Sequence, residues 1–108
     1  LGNLKQERFI IVILDNKHRF LSETTVTVGL LNRSLVHPRE VFAEAIEQRA
    51  AAIICIHNHP SGDSSPSEED KRITRRLQES GELLGIPLLD HIIISKEDFT
   101  SFADEGWL

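Results

Sequence analysis

The sequence predicts an α/β sandwich around a mixed β-sheet, and three observations predict it. Short apolar runs recur at 9–14 (FIIVIL), 51–56 (AAIICI) and 88–94 (LLDHIII). Two segments with apolar residues at helical spacing, 38–50 and 68–84, are interleaved with them. Proline, glycine and serine gather at the boundaries, where the chain must turn.

FIIVIL is continuous rather than alternating, the pattern of a strand covered on both faces. DNKH at 15–18 is turn chemistry. RFLSETTVTVG at 19–29 alternates and is rich in Thr and Val, so it reads as the partner strand of a hairpin-like pair. Residues 30–37 carry no decisive pattern. Pro38 suits a first helical turn, and Val41, Phe42, Ala45, Ile46 and Arg49 follow at helical spacing, predicting a helix over 38–50. AAIICI is a short buried strand. HPSGDSSPS at 59–67 holds two Pro, one Gly and four Ser and must be loop. Ser67 followed by Asp70 resembles a capping box and opens a helix over 68–84. Ile73, Leu77 and Leu84 mark its inner face, and Lys71, Arg72, Arg75 and Arg76 lie mostly outside. Gly85 and Pro87 end it. LLDHIII is another buried strand, and SKEDFTSFADEGW at 95–107 closes with a short helix.

Composition narrows the function classes. The chain has 108 residues, the size of one domain, and 40% of them are apolar, enough for a core. A net charge of −5 argues against a broad phosphate-binding surface. Cys55 is the sole cysteine, so no intrachain disulfide forms, which suits a reducing cytoplasm. No apolar run approaches the ~18 residues of a membrane span. The chain starts with Leu1 rather than Met, as an excised domain of a longer protein would.

The chemistry concentrates where the second apolar run turns polar, IICIHNHPSGDSSPSEED at 53–70. Alternate residues of a strand share a face, so His57 and His59 point one way, with Cα atoms roughly 6–7 Å apart. Two imidazoles at that span can converge on one ion, and neutral imidazole is a good zinc ligand. Asp70 lies three residues before Ile73 and seven before Leu77, on the inward face of its helix. An uncompensated carboxylate there would be costly, and a cation would resolve the cost. Glu68 and Glu69 point elsewhere and suit a helix N-terminus. Two histidines and a carboxylate leave a fourth position for water, the composition of a catalytic zinc site. Taken singly, each residue has a plainer reading: solvated histidines, an Asp70 that completes a capping box, and Ser67 as an N-cap. The joint spacing at a strand–loop–helix junction weighs against those readings.

HNHPSGDSSPSEED resembles the JAMM motif of the JAB/MPN metalloproteases, His-x-His-x(7)-Ser-x-x-Asp with an upstream Glu, and matches it at His57, His59, Ser67 and Asp70. FLSETTVTVG, VHPREVFAEAI, HNHPSG, PSEED and LLDHIII resemble blocks of the bacterial RadC (UPF0758) family across the whole chain. The resemblance implies a JAB/MPN, cytidine-deaminase-like three-layer α/β fold over residues 1–108, as the C-terminal domain of a longer protein. It implies one zinc ion held by His57, His59 and Asp70, Ser67 at the oxyanion, and hydrolysis of peptide or isopeptide bonds. It also implies a catalytic glutamate upstream of the first strand. Glu7 stands there, and Glu23 and Glu44 are the alternatives.

His91 reads as a hydrogen-bonded core histidine, His37 as part of a helix start, Cys55 as inert, and Asp63 as solvated, while Gly62 offers a place for backbone approach. The expected partner is a peptide or protein substrate. A DNA-repair association attaches to RadC-like proteins, so a nucleic-acid-binding or scaffold module is the rival reading. Only one basic strip and no aromatic platform support nucleic-acid binding. A zinc deaminase would need His-x-Glu and Pro-Cys-x-x-Cys elements, which the sequence lacks.

Overall fold

Apolar β-branched residues of the first run form β1 (Glu7–Leu14), which a turn reverses into β2 (Phe20–Gly29). Asp15 shapes that turn, its carboxylate accepting from the N–H groups of Lys17 (2.9 Å) and Arg19 (2.8 Å). The computed structural model describes residues 7–29, 36–60 and 62–108, with side chains for all of these except 27–29. α1 (Pro38–Glu47), β3 (Ala52–Asn58), α2 (Glu68–Leu84), β4 (Leu88–Ile94) and β5 (Phe99–Ser101) follow. The sheet order is β2-β1-β3-β4-β5, with β3 and β4 parallel and the other pairs antiparallel. This is the mixed α/β architecture that the sequence predicts, but both described helices form one layer on one sheet face. β1 is therefore not covered on both faces, and Ile10, Val12, Ile54 and Ile56 opposite are only half-buried.

Local chemistry sets the helix ends. Pro38 occupies the first helical turn of α1 and the His37 imidazole accepts the Arg39 N–H, so His37 is the N-cap. Ser67 and Asp70 form a reciprocal capping box on α2. Gly85 ends that helix in the left-handed region (φ 74°), which glycine adopts without a Cβ clash. Both helices pack on the sheet face that carries Phe9, Ile11, Ile13, Ile53 and Cys55, where Val41, Phe42, Ala45, Ile73 and Leu77 complete one core. Gly81 permits the closest approach. A Cβ there would lie 2.5 Å from the Ile86 carbonyl oxygen and 3.3 Å from the Phe42 ring.

Several expectations need correction. The predicted closing helix is instead β5 followed by turns over 102–106. Thr100 and Ser101 pair with β4, and Asp90 holds the turn by accepting from the Ser101 hydroxyl and the Ala103 N–H. β4 would otherwise be an open edge. The first helix stops at Glu47 rather than at residue 50, and Arg49 turns left-handed (φ 54°). Ile46 (53%) and Leu84 (48%) are exposed, because α1 and α2 bury narrower stripes than their apolar spacing suggested. β3 runs on through His57 and Asn58. Of the undecided residues 30–37, those at 30–35 lie outside the described residues. No helix among the described residues is long and apolar enough to cross a membrane.

Candidate metal centre

Sheet register assembles the site. β1 runs antiparallel to β3 with Phe9 opposite His57. Glu7, two residues earlier, is therefore level with His59 and on the face of His57. His59 has just left the ladder, its N–H donating to the Ile94 carbonyl at 2.8 Å. α2 starts over this end of the sheet, and its inward row runs Asp70, Ile73, Thr74, Leu77, Gly81. Three elements thus deliver Glu7, His57, His59 and Asp70 to the C-terminal end of β3, the usual ligand position in open α/β sheets.

The two nitrogens of His57 face different carboxylates. Nε2 is 3.9 Å from Glu7 Oε2 and Nδ1 is 3.6 Å from Asp70 Oδ1. His59 Nε2 is 3.2 Å from Asp70 Oδ2. Glu7, His57 and His59 each offer a ligand atom within 4.8 Å of the others, so these three could hold a metal ion. Asp70 flanks that group through its contacts with both histidines. His57 and Asp70 are buried, whereas the side chains of Glu7 (21%) and His59 (14%) still reach solvent.

His59 supplies the test of fit. Its Nδ1 is 3.2 Å from the Asp63 carbonyl oxygen, which can only accept, so Nδ1 carries a proton. In the neutral ring Nε2 then presents a lone pair toward a carboxylate that also only accepts. A proton or a cation on Nε2 resolves the conflict. The donor set of two imidazoles and carboxylates fits a divalent transition-metal ion, zinc included. The hydrogen bond to Asp70 accordingly raises the His59 pKa, against the opposing effect of burial. Burial works against ionisation of Asp70, but contacts from His59, Ser67 and His57 win and hold the carboxyl well below its ordinary range.

Ser67 sits beside the group. Its Oγ accepts the Asp70 N–H at 3.0 Å while Asp70 Oδ2 accepts the Ser67 N–H at 2.9 Å. The capping reading and the site reading of these two residues therefore coincide. The Ser67 hydroxyl proton remains available to donate. The two alternative glutamates lie elsewhere: Glu23 is on β2 opposite Val12, and Glu44 on α1 accepts from the Gln48 amide at 3.3 Å.

Other residues shape the surroundings. The Asn58 side chain accepts the Arg8 N–H at 2.6 Å and ties the start of β1, beside Glu7, to the end of β3. Its position inside the His-x-His motif gave no signal of that role. The Thr74 hydroxyl donates to the Asp70 carbonyl at 2.7 Å and also meets His91 Nδ1. Its one proton goes to the carbonyl, so His91 donates from Nδ1. His91 is thus the hydrogen-bonded core histidine that the sequence predicts, and burial lowers its pKa to about 4. Only the four-residue spacing from Asp70 to Thr74 could have pointed to this link. Cys55 is buried on the His57 face, and burial pushes its thiol pKa up, which leaves it inert. Asp63 is exposed, yet its carbonyl orients His59. Ser64 pins the loop, its hydroxyl 3.2 Å from Asp98 Oδ2 and 2.9 Å from Thr100 Oγ1. A side chain at Gly62 would meet nothing within 4 Å, so packing does not require glycine there.

Comparison with known proteins gives the family of the chain. The RadC-like JAB domain family matches residues 1–107. A UPF0758 protein of Bacillus licheniformis is 55% identical over 105 residues, covering 97% of this chain and 47% of the relative. A UPF0758 protein of Methanospirillum hungatei is 55% identical over 108 residues, covering 100% of this chain and 48% of the relative. One from Pelobacter propionicus is 50% identical over 108 residues, with 100% and 47% covered. The chain spans about half the length of the curated relatives it matches. With its mixed sheet, its strand-end histidines and this match over nearly its full length, the chain belongs to the RadC family and is its RadC-like JAB domain.

Proposed function

We propose that this domain hydrolyses peptide or isopeptide bonds, with His57, His59 and Asp70 holding one zinc ion and Glu7 acting as the general base. The convergence of these four side chains from β1, β3 and α2 at one strand end carries the reading. When bound, zinc supplies Lewis acidity and a water nucleophile at neutral pH, since it lowers the pKa of coordinated water to about 7.

The protein's own residues divide the remaining work. Asp63 fixes the His59 tautomer through its carbonyl, which aims the Nε2 lone pair into the site. Asp70 is buried and charged, and suits a ligand that faces both histidines. Glu7 keeps contact with solvent, so its carboxylate can take a proton from water and return it to the leaving amine. The Ser67 hydroxyl donates to the oxygen on which negative charge develops. The side chains of Glu7 and His59 reach solvent, which is the side from which a substrate chain would approach.

The experiment is an unbiased peptide-cleavage screen read by mass spectrometry on zinc-loaded, chelated and zinc-restored protein. Cleavage should appear with zinc, vanish with chelation and return on restoration. Cleavage that persists in chelator, or stoichiometric zinc retained by a His57→Ala, His59→Ala double variant, would sink this reading.

A further inference from the structure

A second concave surface adjoins the metal centre, between α2 and the C-terminal turn. We propose that it is a subsite for a carboxylate of a peptide bound across the centre, either an acidic side chain or a chain terminus. The peptidic nature of the ligand rests on the proposed hydrolase function; the preference for an anion rests on the pocket alone.

Lys71, Thr74, Arg75 and Gln78 recur at spacings of three and four along one flank of α2, and face Phe102 and Trp107 across a cavity of about 200 Å³. Among the described residues, no carboxylate side chain lines it. Lys71 Nζ lies 5.2 Å from the centroid of the Trp107 ring, a cation–π placement that holds the ammonium at the rim. Its pairing with Glu68, at 3.8 Å, is solvent-exposed and weak. Arg75 makes no ion pair among the described residues, whereas its neighbour on the basic strip, Arg72, is bonded to Glu69. A chain of net charge −5 thus turns two cations toward one pocket. Its aromatic wall leans on the core: Trp107 meets buried Phe102 edge-on at 5.3 Å, and Phe102 stacks on His91 at 4.8 Å. The Thr74 hydroxyl is committed to the Asp70 carbonyl and His91, which leaves Lys71, Arg75, Gln78 and the Trp107 indole N–H as the donors.

Size and position favour a peptide residue. Small-molecule sites span roughly 300–1,000 Å³, and this cavity is smaller, on the scale of one side chain. Lys71 follows Asp70 directly, and Arg75 lies about 7.5 Å along the helix from it, close to the reach of two extended residues. A single accessible aromatic ring is a poor stacking platform for nucleic acid.

Trp107 is the sole tryptophan of the chain, so its fluorescence reports on this pocket directly. The titrations use chelated protein, so no turnover occurs and the metal centre does not contribute. The probes are a blocked tetrapeptide with one Glu, its Gln twin, a Gln peptide with a free C-terminal carboxylate, inorganic phosphate and a short oligo-dT. The Glu peptide or the free-terminus peptide should bind saturably, at least tenfold more tightly than the blocked Gln twin, and whichever wins names the source of the carboxylate. Lys71→Gln and Arg75→Gln should each weaken that binding about tenfold with an unchanged melting temperature. Equal binding of blocked Glu and Gln peptides without a free-terminus preference, or tighter binding of phosphate or oligo-dT, would overturn the proposal. An inactive domain that still shows the carboxylate preference would refute the hydrolase reading alone. Zinc-dependent cleavage without the preference would refute the subsite alone.

Discussion

Replacing Glu7 with Gln and Asp70 with Asn separates the base from the ligands. Both changes keep side-chain size and remove a negative charge. Glu7 touches the site from its solvent side, 3.9 Å from His57 Nε2, whereas Asp70 faces both histidines from the interior at 3.6 and 3.2 Å. Glu7→Gln should leave zinc content near one per chain and lower hydrolysis by about 10²–10⁴, or roughly 3–5 kcal/mol of barrier. Asp70→Asn should lose both metal and activity. The assay is zinc content by elemental analysis beside single-turnover cleavage of a peptide found in the screen. The geometry supplies a sharp alternative, because Glu7, His57 and His59 form a mutual group within 4.8 Å that excludes Asp70. If Glu7 were a ligand and Asp70 an orienting partner of the imidazoles, Glu7→Gln would abolish metal binding. Asp70→Asn would then weaken it only about 10–100-fold. That pattern would refute the assignment of the base while keeping the metal centre.

Acid should destabilise the metal-free fold partly through His91. Its folded pKa of about 4 lies below the ordinary 6.5, so between those values the unfolded chain binds a proton that the fold does not. Stability is therefore lost as pH falls through that window, by about 3 kcal/mol when complete. His59 acts with the opposite sign: its pKa is raised, so its contribution is present at low pH and lost as pH rises. Urea titrations of wild type and His91→Gln at pH 7.5 and 4.5 isolate the His91 part, and an equal acid loss in both would refute it. Gly81→Ala should destabilise by about 1–3 kcal/mol despite the better helix propensity of Ala, because the new methyl meets a backbone oxygen at 2.5 Å; an unchanged melting temperature would count against the packing argument. Duplex DNA should bind at roughly 10⁻⁴ M or weaker at physiological salt. Submicromolar, salt-sensitive binding that depends on Arg72, Arg75 and Arg76 would favour a nucleic-acid role instead.

The limits of the sequence reading follow from the range of the forces involved. The span Glu68–Leu84 is legible because its capping box, apolar period and Gly85 are all local. The spacing from His57 to Asp70 is legible because one strand end and one helix start fix both residues. Glu7 has no such fixed spacing. Its place depends on the pairing of Phe9 with His57 across residues far apart in the chain, a register set only by the assembled sheet. The closing segment misled for the same reason: SKEDFTSFADEGW has helical composition, but the free edge of β4 claims Phe99–Ser101 as a strand. Ile46 and Leu84 obey the helical period and still face solvent, because the period reports a face and not how wide a neighbour covers it.

The Ser67–Asp70 pair shows why a structural and a functional reading of one motif need not compete. As a capping box, it satisfies two N–H groups at the start of α2 and fixes the angle at which the helix meets the sheet. That same bonding holds the Asp70 carboxylate against His57 and His59, so the helix cap sets the geometry of the centre. Thr74 extends the support by bonding the Asp70 carbonyl and His91 together. Removal of Asp70 by alanine would confound lost stability with lost metal, since a cap of this kind is worth about 1 kcal/mol. Asparagine keeps an oxygen for the Ser67 N–H and removes only the charge that both histidines face. The asparagine variant should therefore melt somewhat below wild type in chelator, where it lacks the charge contacts that lower the Asp70 pKa, and much further below it in zinc, where the native site alone gains stability from the ion.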